Sequence, residues 1–211
     1  MVLDGQRENI DPILLFFAKK FSTVNPDIIT WIALLFAFFA GLFFYFSSPE
    51  QELVNYYLLI AAFFVFLNGL FDAIDGKVAK LTDKISKRGD FLDHALDRYG
   101  DVFIVGGLAL SAWSRYPSIG ILAIVGMLLT SYMGTQSQAI GCNRNYSGLL
   151  VRADRLVLLM TAPILQHILT SYSFQMPLNL NLLEWVLIYF AVMGNITSVQ
   201  RFYSTLRWFK K

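Results

Sequence analysis

The sequence is poor in charged residues and in cysteine for a chain of 211 residues. Charged residues make up 15% of it, against about 25% in a typical soluble protein. The single cysteine, Cys142, excludes an intramolecular disulfide scaffold, and the scarcity of charge excludes a disordered chain. A formal net charge of +2 gives no support to bulk nucleic-acid binding.

Apolar residues are abundant instead, at 56% of the chain with 19 Phe and a mean hydropathy of +0.53. A helix that crosses a hydrocarbon core of about 30 Å needs about 20 mostly apolar residues. We therefore predict an all-α membrane protein, a single domain over residues 1–211, with an amphipathic interfacial helix at about 6–21. Six predicted transmembrane helices follow it, at about 28–47, 56–78, 91–113, 118–138, 151–169 and 182–200.

The basic residues predict the orientation of these helices. Of the 17 lysines and arginines, all but Arg115 fall on one side of the predicted topology. Because basic residues concentrate in cytoplasmic loops, both termini and the second-to-third and fourth-to-fifth connections should face the cytoplasm. The protein should therefore be a multi-pass protein of the cell membrane with its charged face in the cytoplasm.

Two pairs of aspartates stand where the second predicted span ends and the third begins. Asp72 and Asp75 are three residues apart, and Asp93 and Asp97 are four apart, so each pair shares one face of a helix. A loop of about ten residues joins the two spans into an antiparallel hairpin. The two pairs should therefore face each other near the cytoplasmic end.

Carboxylates this close to lipid are costly, by about 2.5–3.5 kcal/mol each at a helix centre. Cations must offset that cost, and hard oxygen ligands suit Mg²⁺ or Mn²⁺. Two metals could clamp a phosphate and activate an oxygen nucleophile. We expect the remaining carboxylates near this hairpin to be solvated residues at helix ends: Asp83, Asp90 and Asp101.

The hairpin resembles the signature of the CDP-alcohol phosphotransferase family, D-x2-D-G-x2-A-R-x8-G-x3-D-x3-D. The sequence matches it at every position except one, where Lys80 replaces the arginine. The matching residues are Asp72, Asp75, Gly76, Ala79, Gly89, Asp93 and Asp97. Six spans after an amphipathic helix also fit the family, so the resemblance covers essentially the whole chain.

The resemblance implies a role for each matching position. Asp72, Asp75, Asp93 and Asp97 would bind two divalent metals, Mg²⁺ or Mn²⁺, and Asp97 would also act as general base on the acceptor hydroxyl. The cytidine diphosphate would be bound by Gly76, Ala79, Lys80 and Gly89. A segment upstream, from Asn25 to Thr30, resembles the family's P-N-x-x-T motif, although a plain helix N-terminus at Pro26 explains it equally well.

The family's reaction makes a phosphodiester lipid from a CDP-lipid, which is CDP-diacylglycerol or CDP-archaeol, and a small polar alcohol, with release of CMP. Arginine forks bind phosphate well, so the cytoplasmic arginines suggest an acceptor that carries phosphate. These candidates are Arg144, Arg152, Arg155 and Arg201. Segments around Arg155 and Arg201 look like the phosphatidylinositol-phosphate and archaetidylinositol-phosphate synthase branch, which implies inositol phosphate.

That branch usually carries a lysine and an arginine after the Ser-Tyr of the fourth span, where this sequence has Gly134 and Gln136. Glycerol 3-phosphate therefore stays open as the acceptor. A divalent-cation channel is the alternative from another class, because intramembrane aspartates also line ion paths.

A few polar and small residues have open roles. Asn68 could orient Asp72 or bond a neighbouring helix, and Glu184 is expected to have an interfacial role. Gly106 and Gly107 predict close helix packing, either within the chain or in the homodimer that the family commonly forms.

Overall fold

The structure is a computed structural model that describes residues 7–49, 52–142, 148–150, 152–172 and 177–209. These residues are almost entirely helical and contain no strand, so the all-α prediction is confirmed. The helices are α1 Arg7–Lys20, α2 Pro26–Phe46, α3 Glu52–Leu81, α4 Lys87–Ala109, α5 Pro117–Ala139, α6 Arg152–Ser171 and α7 Leu182–Trp208, with a 3-10 turn at Pro177–Asn179 before α7.

Side-chain caps explain where several helices begin. The Asn25 side chain accepts a hydrogen bond from the Asp27 N–H at the start of α2, and Ser86 does the same for Gly89 at the start of α4. Asn181 and Glu184 form a reciprocal capping box at the start of α7. These interactions satisfy backbone donors that a helix N-terminus leaves without partners.

Four of the helices are long and apolar enough to cross a membrane: α2, α5, α7 and the Tyr56–Leu81 part of α3. The chain is thus a multi-pass membrane protein. Helices α4 and α6 begin with charged turns and do not meet the same criterion, so the count of six spans stays a prediction.

The third predicted span is too long at its C-terminal end. We predicted a helix to residue 113, but α4 ends at Ala109. The Ser111 hydroxyl donates to the Leu108 carbonyl and accepts from the Trp113 N–H, which turns the chain out of the helix. Local side-chain bonds of this kind compete with helix continuation.

Glycines set the closest helix contacts. Helix α2 packs against both α3 and α4, and α5 packs mainly against α7. A Cβ on Gly107 of α4 would overlap the backbone of Gly41 in α2, and a Cβ on Gly126 of α5 would collide with α7 at Gly194 and Asn195. Small residues allow such close approach of membrane helices. Gly107 therefore serves packing within the chain, and Gly106 lies over Ile124 of α5.

Helix α1 lies along α3. Leu14, Phe17 and the fully buried Ala18 pack into a small cluster with Ile74 and Val78 of α3. On its other side, Ile13 and Phe16 are exposed. The Lys77 ammonium of α3 contacts both carboxylate oxygens of Asp11 in α1, each at 2.7 Å. Both an apolar contact and an ion pair thus attach α1 to the part of α3 that carries Asp72 and Asp75.

One end of the bundle gathers the functional segments. The turn between α3 and α4 brings the end of one helix beside the start of the next. The Leu150 N–H, just before α6, donates to the Thr197 hydroxyl of α7 at 3.2 Å. The Arg201 guanidinium of α7 donates to the Thr130 carbonyl of α5 at 2.8 Å. The N-terminal turn of α6 and the C-terminal parts of α5 and α7 therefore meet one another.

Candidate active site

The four aspartates of the hairpin come together between α3 and α4. Arg152 of α6 contacts one aspartate from each helix: its Nη1 lies 2.8 Å from Asp72 Oδ2 and its Nη2 lies 2.5 Å from Asp97 Oδ1. Asp75 lies close enough to Asp72 and Asp93 to interact electrostatically with both. We call these four residues the carboxylate cluster.

Asp75 lies deepest among the aspartates of α3, with 5% of its surface exposed. Its Oδ2 is buried and accepts no hydrogen bond from any described residue. A buried carboxylate oxygen without a donor carries a desolvation cost that a cation can offset. One ligand atom each from Asp93, His94 and Asp97 also lie within 4.8 Å of one another, a spacing that one metal ion could span.

Arg152 forms ion pairs with two members of the carboxylate cluster. The sequence suggested this arginine for the phosphate of an acceptor, and the structure directs its guanidinium to Asp72 and Asp97. A planar guanidinium can bind two carboxylates at once through its fork of N–H donors. Arg152 thus connects α3, α4 and α6 at one point.

The structure corrects our expectation for Asp101. We expected a solvated carboxylate, but Asp101 is buried, with 6% exposed. Its Oδ2 lies 3.2 Å from Arg98 Nη1 in the same helix and 3.1 Å from Arg155 Nη1 in α6. A signal was present in the sequence, because Asp93, Asp97 and Asp101 continue one helix face at intervals of four. Asp83 and Asp90 are exposed, as expected.

The two motif glycines have different surroundings. A Cβ on Gly76 would meet no atom within 4 Å, so the space beside it is open. A Cβ on Gly89 would lie 3.3 Å from Ser86 Oγ and 3.7 Å from Asp27 Oδ1. Gly76 therefore faces space that a ligand could fill, whereas Gly89 lies against the capping Ser86 and the first turn of α2.

The other residues suggested for nucleotide binding lie near the same hairpin. Ala79 is half-buried, and Lys80 is exposed in the last turn of α3. Thr30 is buried in α2, where its hydroxyl donates to the Pro26 carbonyl and its side chain neighbours Asp75. The helix N-terminus predicted at Pro26 is present in the structure, and Thr30 also contacts the carboxylate cluster.

The other arginines suggested for the acceptor phosphate lie at different places in the chain. Arg155 and Arg201 are both buried, with 6% and 8% exposed, on α6 and α7. Arg144 lies outside the described residues. Of the two positions where the sequence lacks the expected basic residues, Gly134 is buried and Gln136 is exposed in the last turns of α5.

Two polar residues noted in the sequence serve the fold. The Asn68 side-chain amide donates to the Ala33 carbonyl of α2 at 2.9 Å, which is the bond to a neighbouring helix. Glu184 is buried at the opposite end of the bundle, with 4% exposed. It accepts hydrogen bonds from the backbone N–H groups of Asn181 and Arg115.

Comparisons with known proteins agree with the motif. Residues 23–197 match the family model described as CDP-alcohol phosphatidyltransferase. The archaetidylinositol phosphate synthase of Pyrococcus horikoshii is 30% identical over 67% of this chain and 70% of its own length. The phosphatidylinositol phosphate synthase of Cutibacterium acnes is 29% identical over 87% of this chain and 86% of its own.

Solved structures share the fold. The phosphatidylinositol phosphate synthase of Mycobacterium tuberculosis with CDP-DAG bound superimposes with a TM-score of 0.70 at 22% identity, over 92% of this chain and 94% of its own. The same protein in complex with manganese and citrate gives a TM-score of 0.71 at 20% identity, over 92% and 88% of the two chains. At this identity the likeness establishes the fold alone.

The chain belongs to the CDP-alcohol phosphatidyltransferase family, because the family model matches most of its length. It is therefore a transferase of phospholipid biosynthesis that joins a CDP-linked donor to an alcohol with release of CMP. The family prediction from the sequence is confirmed, and so is the prediction of an enzyme rather than a cation channel.

Proposed function

We propose that this member of the CDP-alcohol phosphatidyltransferase family is a phosphatidylinositol phosphate or archaetidylinositol phosphate synthase of the membrane. Its donor is a CDP-lipid, CDP-diacylglycerol or CDP-archaeol, and its acceptor is inositol phosphate. A hydroxyl of the acceptor attacks the phosphorus that carries the lipid, the bond from that phosphorus to the CMP oxygen breaks, and CMP leaves. The product is a phosphodiester lipid that keeps the acceptor's own phosphate.

One observation carries the choice of acceptor. Two arginines, Arg155 and Arg201, are buried on neighbouring helices at the end of the bundle that holds the carboxylate cluster. Arg155 pairs with Asp101, and Arg201 donates to the Thr130 carbonyl. A guanidinium has five N–H donors, and a phosphate is an anion that an arginine fork fits. The names of the relatives agree with this choice, since they are phosphatidylinositol and archaetidylinositol phosphate synthases.

We propose that Asp72, Asp75, Asp93 and Asp97 hold two divalent ions, Mg²⁺ or Mn²⁺. The residues fit such ions: all four offer hard oxygen ligands, and the buried Asp75 Oδ2 has no hydrogen-bond donor among the described residues. When bound, the ions neutralise the charge of the diphosphate and stabilise the CMP leaving group. The relative solved in complex with manganese supports this assignment.

The side chains of the chain then have distinct tasks. Asp97 accepts the proton of the acceptor hydroxyl as it attacks. Arg152 holds Asp97 beside Asp72, which keeps the base of α4 next to the ligands of α3. Arg155, Arg201 and, from the segment outside the described residues, Arg144 bind the acceptor's phosphate.

The nucleotide lies over the hairpin in this proposal. Gly76 is bordered by open space, which suits the close approach of the cytidine diphosphate to the backbone. Ala79, Gly89 and Thr30 complete the pocket, and the exposed Lys80 reaches toward the diphosphate. Lysine supplies the charge of the family's arginine without its bidentate fork.

The membrane arrangement is also a proposal. Residues 1–211 form one domain, α2 to α7 all cross the membrane, and α1 lies in the interface with Ile13 and Phe16 toward the lipid. Both termini and the active site face the cytoplasm of the cell membrane, and the enzyme is a homodimer. Arg115 then lies on the outer side, in agreement with the distribution of the other basic residues.

The reaction is tested by CMP release from purified protein with Mg²⁺ and either CDP-diacylglycerol or CDP-archaeol. Inositol phosphate, glycerol 3-phosphate, inositol and serine are compared as acceptors, with EDTA as the metal-free control. We expect release with inositol phosphate, dependent on the metal. Turnover with glycerol 3-phosphate or with an unphosphorylated alcohol in preference to inositol phosphate would overturn the proposed acceptor.

The orientation is tested with the single native cysteine. Cys142 follows α5 at the active-site end and is partly exposed. A membrane-impermeant maleimide should label it in inside-out vesicles and not in intact cells, with Cys142→Ser as the blank. Labelling from outside in intact cells would reverse the proposed topology.

A further inference from the structure

Asp101 lies outside the family motif and is nevertheless the most enclosed acidic residue beside the carboxylate cluster. It follows Asp97 by one helical turn in α4, and it binds two arginines, Arg98 from its own helix and Arg155 from α6. The Arg155 bond joins residues 54 positions apart in the chain. Burying a carboxylate costs desolvation free energy, and here the ion pairs with the two arginines must offset that cost.

The position of Arg155 depends on which carboxylate it binds. Asp97 is a second anion near enough to attract it electrostatically, and Arg152 already forms an ion pair with Asp97. Asp101 holds Arg155 through one terminal nitrogen, at 3.1 Å. The Arg155 Nε is buried and has no hydrogen-bond acceptor among the described residues, so this donor is available to an anion.

We propose that Asp101 is a positioning residue for the acceptor site. By binding one edge of Arg155, it keeps this guanidinium away from Asp97 and presents its remaining donors to the phosphate of the acceptor. The inference rests on the proposed function, in which Arg155 binds that phosphate. Asp101 itself touches neither substrate and acts through Arg155 alone.

The test is a double-mutant cycle on the full-length enzyme with Asp101→Asn, Arg155→Gln and the two combined. KM is measured separately for inositol phosphate and for the CDP-lipid. Loss of the partner that orients a metal-ligating side chain typically costs about 10–100-fold. By analogy, we expect the acceptor KM of Asp101→Asn to rise about tenfold or more, with the donor KM unchanged. Since both residues act as one unit, the double variant should be no worse than Arg155→Gln.

Glu184→Gln is the matched control for loss of a buried carboxylate. It removes the charge of an equally buried acid that pairs with an arginine at the opposite end of the bundle. We expect it to leave both KM values unchanged. If Asp101→Asn does not fold, Asp101→Glu keeps the charge while moving the oxygen, and an acceptor KM between those of the wild type and Arg155→Gln is expected.

Two results would overturn the inference: independent, multiplicative effects of the two substitutions, or equal rises in both KM values. Failure of the proposed function looks different, because the wild type itself would then prefer another acceptor. In that case the same cycle, run with the acceptor that the wild type uses, decides whether Asp101 acts through Arg155. An unchanged KM in that cycle contradicts the inference.

Discussion

The two ends of the bundle each bury a carboxylate beside an arginine, but they satisfy it with different donors. At one end, Glu184 accepts hydrogen bonds from the backbone N–H groups of Asn181 and Arg115. At the other, Asp101 has ion pairs with the side chains of Arg98 and Arg155. Backbone donors are fixed by the fold, whereas a guanidinium can turn toward a ligand. The first end is therefore built for stability and the second for binding.

The balance of charge differs in the same way. Glu184 and Arg115 neutralise each other. At the active-site end, Arg98, Arg152 and Arg155 form ion pairs with Asp72, Asp97 and Asp101. Asp75 and Asp93 add two more carboxylates to the same cluster. Among them, the buried Asp75 Oδ2 accepts no hydrogen bond from any described residue, and a cation there would offset its charge, which agrees with the proposed metal site.

Replacing Asp97 by asparagine should have the largest effect at the active-site end. The substitution removes the proposed base and one metal ligand together, and a general base alone contributes about 10²–10⁴-fold to a rate. We expect the kcat of CMP release to fall by at least about 10²-fold, with CDP-lipid binding retained in part.

Asp83→Asn is the control for that variant. Asp83 is exposed and has a φ of 52°, a conformation that asparagine tolerates, so its substitution should leave turnover unchanged. If Asp97→Asn turns over at the wild-type rate, Asp97 is not the general base.

Arg201→Lys should have the next largest effect, on the acceptor alone. Lysine keeps the charge but loses the fork that binds phosphate through two donors. We expect the KM for inositol phosphate to rise about tenfold, which corresponds to about 1.4 kcal/mol, and the KM for the CDP-lipid to stay constant.

Arg207→Lys, an exposed position in the last turn of the same helix, is its control. A donor KM that rises with the acceptor KM in Arg201→Lys would assign Arg201 to the fold or the donor pocket instead.

The sequence was sufficient for the helices and for the hairpin that carries the motif. Hydropathy and helical spacing are local, and they placed α2, α3, α5 and α7 within a few residues of their observed bounds, apart from the longer C-terminal end of α7. The partners of the charged residues were not predictable in this way. Arg152 and Asp72 are 80 positions apart in the chain, so only the packing of α6 on α3 brings them together.

Asp101 shows the same limit. Its spacing from Asp97 placed it on the motif face, but nothing local indicated that Arg155 would cover it. Asp101 lies inside α4 and not at its end. Whether a carboxylate there is solvated depends on the element that packs over it, and that element is α6. Pairings between distant helices are properties of the bundle, whereas caps such as that of Asn181 are readable from neighbouring residues.

Glu184→Gln should affect stability and not the reaction. The amide keeps one acceptor oxygen but replaces the other by a donor, which leaves a buried group without its partner and costs about 1–3 kcal/mol. We expect a lower unfolding midpoint in detergent and unchanged kcat and KM per folded molecule. If Asp101→Asn loses the same stability but also raises the acceptor KM, then only the active-site carboxylate contributes to binding. A raised acceptor KM in Glu184→Gln would contradict this difference between the two ends.

Lys80→Arg should have the smallest effect, and it tests how far the active-site end extends. Lys80 is exposed in the last turn of α3, and substitutions at exposed positions usually change the free energy of unfolding by less than about 0.5 kcal/mol. Arginine restores the family motif and its bidentate fork, so we expect a modest fall in the KM for the CDP-lipid and no change for the acceptor. Titration of each substrate checks this, with Lys84→Arg in the following turn as control. If the donor KM does not respond, the exposed end of α3 lies outside the nucleotide site, and donor binding depends on the open space beside Gly76.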